Sequence, residues 1–361
     1  MKRILVTILF MIICTFVFWS CDFADNDGDK LQNEYLFDSV DHWIEGEDVK
    51  EKHSFDGEKC SVCSFDKAYT FGVEYEVSPD SSYFYVKGYT GSSEIVVIEK
   101  EFNGIPVTMI MNNAFSGIPG VKKIIVPDSV TFIRMYAFAY CPDLESVVLP
   151  DSIENASGYL FTDSPKLSHI VFPDGVKLTN AESFMGTAYY NDKTNWDNGV
   201  LYVGNHLIKV DESYSGTLVI RDGTQTIASY AAMNCKNIKE IVIPSTVRTI
   251  GADAFSGCES LKSVELPESV IQISSKAFKD CTSLEEVILP ENLQIIHSYA
   301  FIGCEKLTKI IIPSTVIKVG EKVFENCPDL VIYCRLPYRP ADWSANWIGG
   351  TNDEIWGYTG D

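Results

Sequence analysis

The chain has 361 residues, 46% of them hydrophobic, and a formal net charge of −21. An acidic balance of that size excludes nucleic acid as a partner, because phosphate binding needs a basic face that displaces counterions. It suits a soluble surface protein and points to no particular ligand.

Residues 1–20 read as a signal peptide. Lys2 and Arg3 open it, and Ile4 to Trp19 is nearly all apolar but shorter than the ~20 residues that span a bilayer as a helix. Phe18-Trp19-Ser20-Cys21 resembles the lipobox of bacterial lipoproteins, in which the Cys is acylated and becomes the mature N-terminus. Phe18 stands where that motif usually has Leu, and Trp19 where it has a small residue. The resemblance implies lipidation at Cys21 and a membrane anchor through it; the alternatives are an ordinary cleaved leader, or an uncleaved anchor, with Cys21 incidental.

Residues 21–68 read as an acidic tether. Positions 22 to 67 hold fourteen Asp or Glu against five Lys and show no sustained period, which leaves too little apolar surface to offset the entropy of ordering. Asp25-Asn26-Asp27-Gly28-Asp29 begins like a calcium loop, but Lys30 takes the place of its turn glycine and Leu36 that of its bidentate Glu, so a solvated linker is the better reading. Cys60-Ser61-Val62-Cys63 has no second pair at zinc-ribbon spacing, and a local disulfide or two idle thiols is expected rather than a metal or redox site.

Residues 69–94 form the first ordered element. Phe71, Val73, Tyr75 and Val77 alternate with Gly72, Glu74 and Glu76, Ser78-Pro79-Asp80-Ser81 turns, and Tyr83 to Tyr89 returns. This predicts a β-hairpin that caps the open edge of the next element.

From 95 to 334 the chain repeats itself every 23 residues. Phe115, Phe138, Phe161 and Phe184 keep the interval, as do Phe255, Phe278, Phe301 and Phe324. Cys235, Cys258, Cys281, Cys304 and Cys327 are in step, and so are Pro244, Pro267, Pro290 and Pro313. A unit that short cannot bury its apolar side alone, so the period means a solenoid of about ten stacked coils. Between Phe184 and Ala232 the spacing is 48, one period plus 25. The excess is an insertion near 188–212, expected to be a hairpin turning at Gly204-Asn205 and covered by Tyr189, Tyr190 and Trp196. Within one coil, Leu261, Val264 and Leu266 point inward from a short strand, Pro267 ends it, and Val270 with Ile273 forms a second apolar pair. Stacking then places the Phe residues in one internal column and the Cys residues in another, as buried free thiols whose parallel side chains do not face each other for disulfides.

The frame Val247-x-x-Ile250-Gly251-x-x-Ala254-Phe255-x-Gly257-Cys258-x-x-Leu261-x-x-Val264-x-Leu266-Pro267 resembles the BspA-type leucine-rich repeat. Ile118, Ser164 and Thr187 depart from it at the Cys position and Ala232 at the Phe position. The resemblance implies an α/β-type, right-handed leucine-rich repeat solenoid with short parallel strands on one face, closed over 335–361 by an aromatic cap containing Trp343, Trp347 and Trp356. It further implies an extracytoplasmic protein, secreted or held at the cell surface, that adheres to a host matrix protein, another cell or a glycan, and it carries no cofactor and no transferable site residue. The three Trp side chains are expected to form the apolar lid of the last coil rather than a sugar platform.

No phosphate-cradling glycine loop, HExxH or GxSxG occurs, and His42, His53, His169, His206 and His297 share no metal-like spacing. A non-catalytic binding module is therefore expected, with a scaffold for nutrient or glycan capture as the alternative and an enzyme with a site assembled across coils a distant third. Its candidate surface comes from strand alternation. With Val264 and Leu266 inward, the outward row is Ile125, Val148, Val171, Val219, Val242, Glu265, Ile288 and Ile311, beside a mixed polar row that includes His169. β-Branched residues also simply suit strands, so the row has a structural reading beside the functional one.

Overall fold

The computed structural model describes residues 70–360 except 174 and 179, together with two short antiparallel pairs, Tyr35–Phe37 with Trp43–Glu45 and Phe55–Asp56 with Lys59–Cys60. The expected leader, Cys21 and Cys63 lie outside the described residues. The chain divides into two compact units, 1–70 and 71–361. Among the described residues no helix is long and apolar enough to cross a membrane.

The second unit is a parallel β-solenoid with two ladders per coil rather than strands on one face alone. The first, here the face ladder, is built from strands such as Lys123–Ile125, Ser146–Val148 and Ser263–Glu265. The second, the back ladder, uses two-residue strands such as Thr249–Ile250 and Gln272–Ile273, paired in register. Helix is nearly absent, against the α/β-type expectation: the described residues hold one α-helix, Ala188–Asn191, and two 3₁₀ turns, Ala181–Phe184 in the bend just before the insertion and Lys193–Asn195 within it. The physical reason is the length of the return leg. After Pro267 the amide of Val270 bonds back to the proline carbonyl at 2.9 Å, and Ile273 is already in the back strand, so no helical turn fits. Ser129, Ser152, Thr246, Ser269 and Thr315, each two places after a Pro, tie neighbouring coils, as where Ser269 Oγ donates to the Val247 carbonyl at 2.5 Å.

The core is the pair of columns. Phe255, Phe278, Phe301 and Phe324 are fully buried, with centroids 5.4–5.7 Å apart and ring planes within 18°. Each contributes about 1.5–3 kcal/mol by burial. The column is closed at the top by Tyr89 against Phe115 (6.0 Å) and at the bottom by Trp347 edge-on to Phe324 (6.0 Å). Trp347 lies 23 residues after Phe324, so the aromatic cap begins as one more coil, and its strand Asp353–Trp356 pairs with Val331–Cys334. Trp343 and Trp347 are buried, which leaves them no free ring face for a sugar.

Two positions in the bends, two residues before and two after the Phe, take left-handed backbone, with Glu182 the exception. Gly117, Gly257 and Gly303 occupy the later one without cost, while Asp253, Lys276 and Lys322 hold φ of 51°–58° at the earlier one. A Cβ-bearing residue there costs roughly 1–2 kcal/mol.

Hairpins start both halves of the stack. Val73–Val77 pairs antiparallel with Phe84–Tyr89, which then pairs in parallel with Ile105–Ile110. At the insertion, Val200–Val203 pairs antiparallel with His206–Val210, which pairs in parallel with Thr226–Ile227. The bends remain in contact across the insertion, where the Ala181 amide bonds the Ser229 carbonyl at 2.9 Å. The face ladder does not: four strands end at His169–Val171 and seven begin at Ser215–Val219.

Candidate binding surface

The surface is built from the alternation of the face strands. In the lower array Leu218, Ile241, Val264, Val287 and Ile310 turn inward and are buried, so their flanking residues must turn outward. Val219 is 63% exposed, Val242 45% and Ile288 48%, with Glu265 exposed between them and Ile311 half-buried. The register carries the row on through Ile311↔Tyr333↔Ile355, so it extends past the last residue that the repeat identifies. Tyr333 packs on Tyr358 with centroids 4.6 Å apart, and Lys309 Nζ lies 5.7 Å from one ring and 5.9 Å from the other. The strip thus ends in an aromatic pair beside a cation. The polar row alongside, Thr217, Glu240, Ser263, Glu286 and Lys309, is exposed and internally bonded, Thr217 Oγ1 donating to Glu240 Oε2 at 3.1 Å.

The upper array is different, and the outward reading needs correction there. Ile125 is only 2% exposed and is not part of an open row. It is held between Val97 and Val148 in the ladder, and Lys123, Ile124 and Val126 around it are buried as well, so the whole strand and not this side chain alone is withdrawn from solvent. Val148 is half-buried, whereas His169 and Val171 are exposed on the last strand of this ladder. The structure therefore groups Val219, Val242, Glu265, Ile288 and Ile311 on one sheet, and places Ile125, Val148, His169 and Val171 on another.

The insertion adds a cleft of about 240 Å³ lined by Tyr190, Lys193, Trp196, Lys209, Val210, Asp211 and Glu212. Trp196 donates Nε1–H to the Tyr190 carbonyl at 2.8 Å, and Lys193 Nζ sits 3.8 Å from the Trp196 ring centre. Sequence reasoning missed His206, which is fully buried where it fastens the insertion. Its ring nitrogens lie 2.7 Å from Thr226 Oγ1 and 3.1 Å from the Pro173 carbonyl. The signal was its place beside the Gly204-Asn205 turn, at the start of an otherwise apolar strand.

The thiol column is inert by construction. Cys281, Cys304 and Cys327 each donate Sγ–H at 3.2 Å to the carbonyl of the Phe one coil back, which already accepts its own coil's Cys amide. Ser164, a departure from the repeat, makes the same bond to Phe138 at 3.0 Å, so a hydroxyl serves there as a thiol does. Burial pushes the Cys235 and Cys327 thiols up to about 11 and those of Cys281 and Cys304 well above their usual value, so the nucleophilic thiolate is suppressed. Cys235, Cys258, Cys281, Cys304 and Cys327 are all free and buried. Peptide mapping after brief treatment of the folded protein with a thiol reagent at pH ~8 should therefore find these five unlabelled, and labelled once denatured. Rapid labelling of any of them would instead place a reactive thiol in the column. Among the described residues, no three His, Cys, Asp or Glu side chains are placed to hold a metal ion.

Over residues 98–209 and 212–331 the chain matches the sequence profile described as BspA type leucine rich repeat region, in six copies. The chain belongs to this family. BspA-type repeats form a scaffold, and the two matched segments meet within the insertion described above. Among solved structures, the chain is similar to a leucine-rich repeat protein from Bacteroides ovatus at 23% identity, covering 81% of this chain and 71% of that one with a TM-score of 0.37. It is similar to a leucine rich cell surface protein from Faecalibacterium prausnitzii at 20% identity, covering 81% and 98% with a TM-score of 0.37. The pneumococcal vaccine antigen PcpA matches at 17% identity, with the same coverages and a TM-score of 0.37. No curated protein matches the chain.

Proposed function

We propose that this BspA-type protein is a non-catalytic, extracytoplasmic binding module, held at the cell surface through Cys21 or secreted, that contacts a protein of a host matrix or another cell through the face ladder of its lower array. The observation that supports this is the exposed row of Val219, Val242 and Ile288 on a rigid parallel sheet. An exposed apolar row, broken by Glu265 and flanked by charge, is a surface on which a partner can bury area, and repeat proteins offer it without a cavity. Glycan capture is the second reading, favoured by the Tyr190 and Trp196 cleft.

The test is a printed array of extracellular-matrix proteins and glycans probed with the mature chain, and then with the triple variant V219T, V242T and I288T. Thr preserves β-branching, so stability should change by less than ~1.5 kcal/mol while affinity for a retained protein falls about tenfold or more. A folded variant with unchanged affinity moves the contact to the insertion cleft, and retention of glycans alone supports the second reading.

A further inference from the structure

The earlier left-handed position of the bend holds a set of side chains that folding does not call for. Down the stack it reads Asn113, Tyr136, Tyr159, then Glu182, then Tyr230, Asp253, Lys276, Tyr299 and Lys322, and all but Glu182 have φ between 51° and 65°. Asn and Asp tolerate that backbone, whereas a Tyr there is strained and its ring adds nothing to the buried column. The later position, filled by Gly117, Gly186, Gly257 and Gly303 and by Asn or Asp in most other coils, likewise holds Tyr140 at φ 59°. Strained residues of one kind gathered in one place are a reason to look for a use.

Tyr136 is sandwiched: its centroid lies 4.9 Å from Tyr159 and 6.2 Å from Tyr140, both within 16° of parallel. Tyr140 is 47% exposed, and Met135 beside it is also exposed. The Tyr159 phenol donates to the Glu182 carboxylate, which together with burial pushes its pKa up to about 12, and Tyr230 is raised chiefly by burial, with Asp253 and Glu182 adding to it. At the column's own positions cations begin only below Asp253; beside it, Lys209 Nζ donates to the Tyr230 carbonyl at 3.1 Å and Lys276 and Lys279 act on the Asp253 carboxylate, so the aromatic and anionic stretch is Tyr136, Tyr140, Tyr159 and Glu182.

We propose that the column Tyr136, Tyr159, Glu182, Tyr230 and Asp253, with Tyr140, is a second docking strip that takes an extended, arginine-bearing segment of a partner protein. Guanidinium groups stack on Tyr rings and pair with carboxylates in a planar fork, which a Lys ammonium does less well. Tyr and Met are enriched in protein interfaces, and Tyr136, Tyr140, Tyr159 and Met135 supply them here, while Glu182 and Asp253 supply the charge an arginine would meet. Glu182 and Asp253 stand two coils apart, about 10 Å, the reach of three residues of extended chain. Arginines three positions apart therefore meet both.

The experiment uses the full chain and a fluorescein-labelled peptide of three Arg-Gly-Gly repeats, with a Lys-Gly-Gly peptide for comparison, in ~150 mM salt so that only close contacts count. The variant Y136N, Y140N and Y159N borrows the residue that Asn113 already places in the column. It should bind the arginine peptide about tenfold or more weakly than the parent, while its Tm stays equal or rises because strain is released. Y299N, the same change far down the stack, should leave affinity unaltered, and the lysine peptide should bind at least about threefold more weakly than the arginine one. Undetectable binding to the parent, equal affinity in the folded triple variant, equal loss in Y299N, or equal affinity for the two peptides would each overturn the proposal. If the triple variant does not fold, Y140N alone, at an exposed ring, must still weaken binding, and unchanged affinity there overturns it as well.

Discussion

Replacing Phe278 by Ala is expected to lower the unfolding free energy by about 3–5 kcal/mol, the cost of emptying a fully buried ring site. The ring lies between Phe255 at 5.5 Å and Phe301 at 5.4 Å, both nearly parallel to it, so no neighbour can swing in without breaking its own stack. Because each coil touches only the coils beside it, the loss falls on two interfaces at once. Urea unfolding should show an earlier, shallower transition as the coils on either side melt separately. A shift worth less than ~1 kcal/mol would mean that the column is not what couples the coils.

Trp347→Ala should cost a similar ~3–5 kcal/mol, but in a different place. Trp347 closes the end of the column over Phe324 and is itself packed by Trp343 at 5.0 Å and Trp356 at 6.2 Å. Its removal exposes one apolar end, so the stack should fray from the C-terminus while the upper array keeps its stability. Hydrogen exchange reads this directly: amides of Lys309–Ile312 and Val331–Cys334 should lose protection, and those of Lys123–Ile125 should not. Uniform loss along the chain would show that the lid stabilises the whole stack as one unit.

Much of this architecture is legible in the sequence because the period is strict. Phe255 to Phe324 name the column, Pro267 and its equivalents name the strand ends, and the excess of 25 between Phe184 and Ala232 names the insertion. Trp347 was equally legible by arithmetic, but a Trp in a Phe column is hidden when the eye tracks residue type rather than phase. Strand parity told inward from outward correctly at Val219, Val242 and Ile288, and failed at Ile125 because parity gives direction and not what lies over the side chain. The tyrosine column was invisible for another reason. Nothing in the letters says that Tyr136 and Tyr159 sit at φ near +60°, and only that geometry makes their identity unexpected.

The second hairpin, Val200–Val203 with His206–Val210, repeats in mid-chain the device that opens the solenoid at Val73. Hairpins close in about 1–10 μs from contacts that are near in sequence, long before distant coils can meet. The chain accordingly carries two seeds, and each array can zip toward the C-terminus from its own. A coil that slips by one repeat in the upper array has no continuous face ladder through which to pass the error on, since that ladder stops at Val171 and restarts at Ser215. In a molecule whose coils are nearly interchangeable, the interruption works as a registration mark that tells one copy of the repeat from the next.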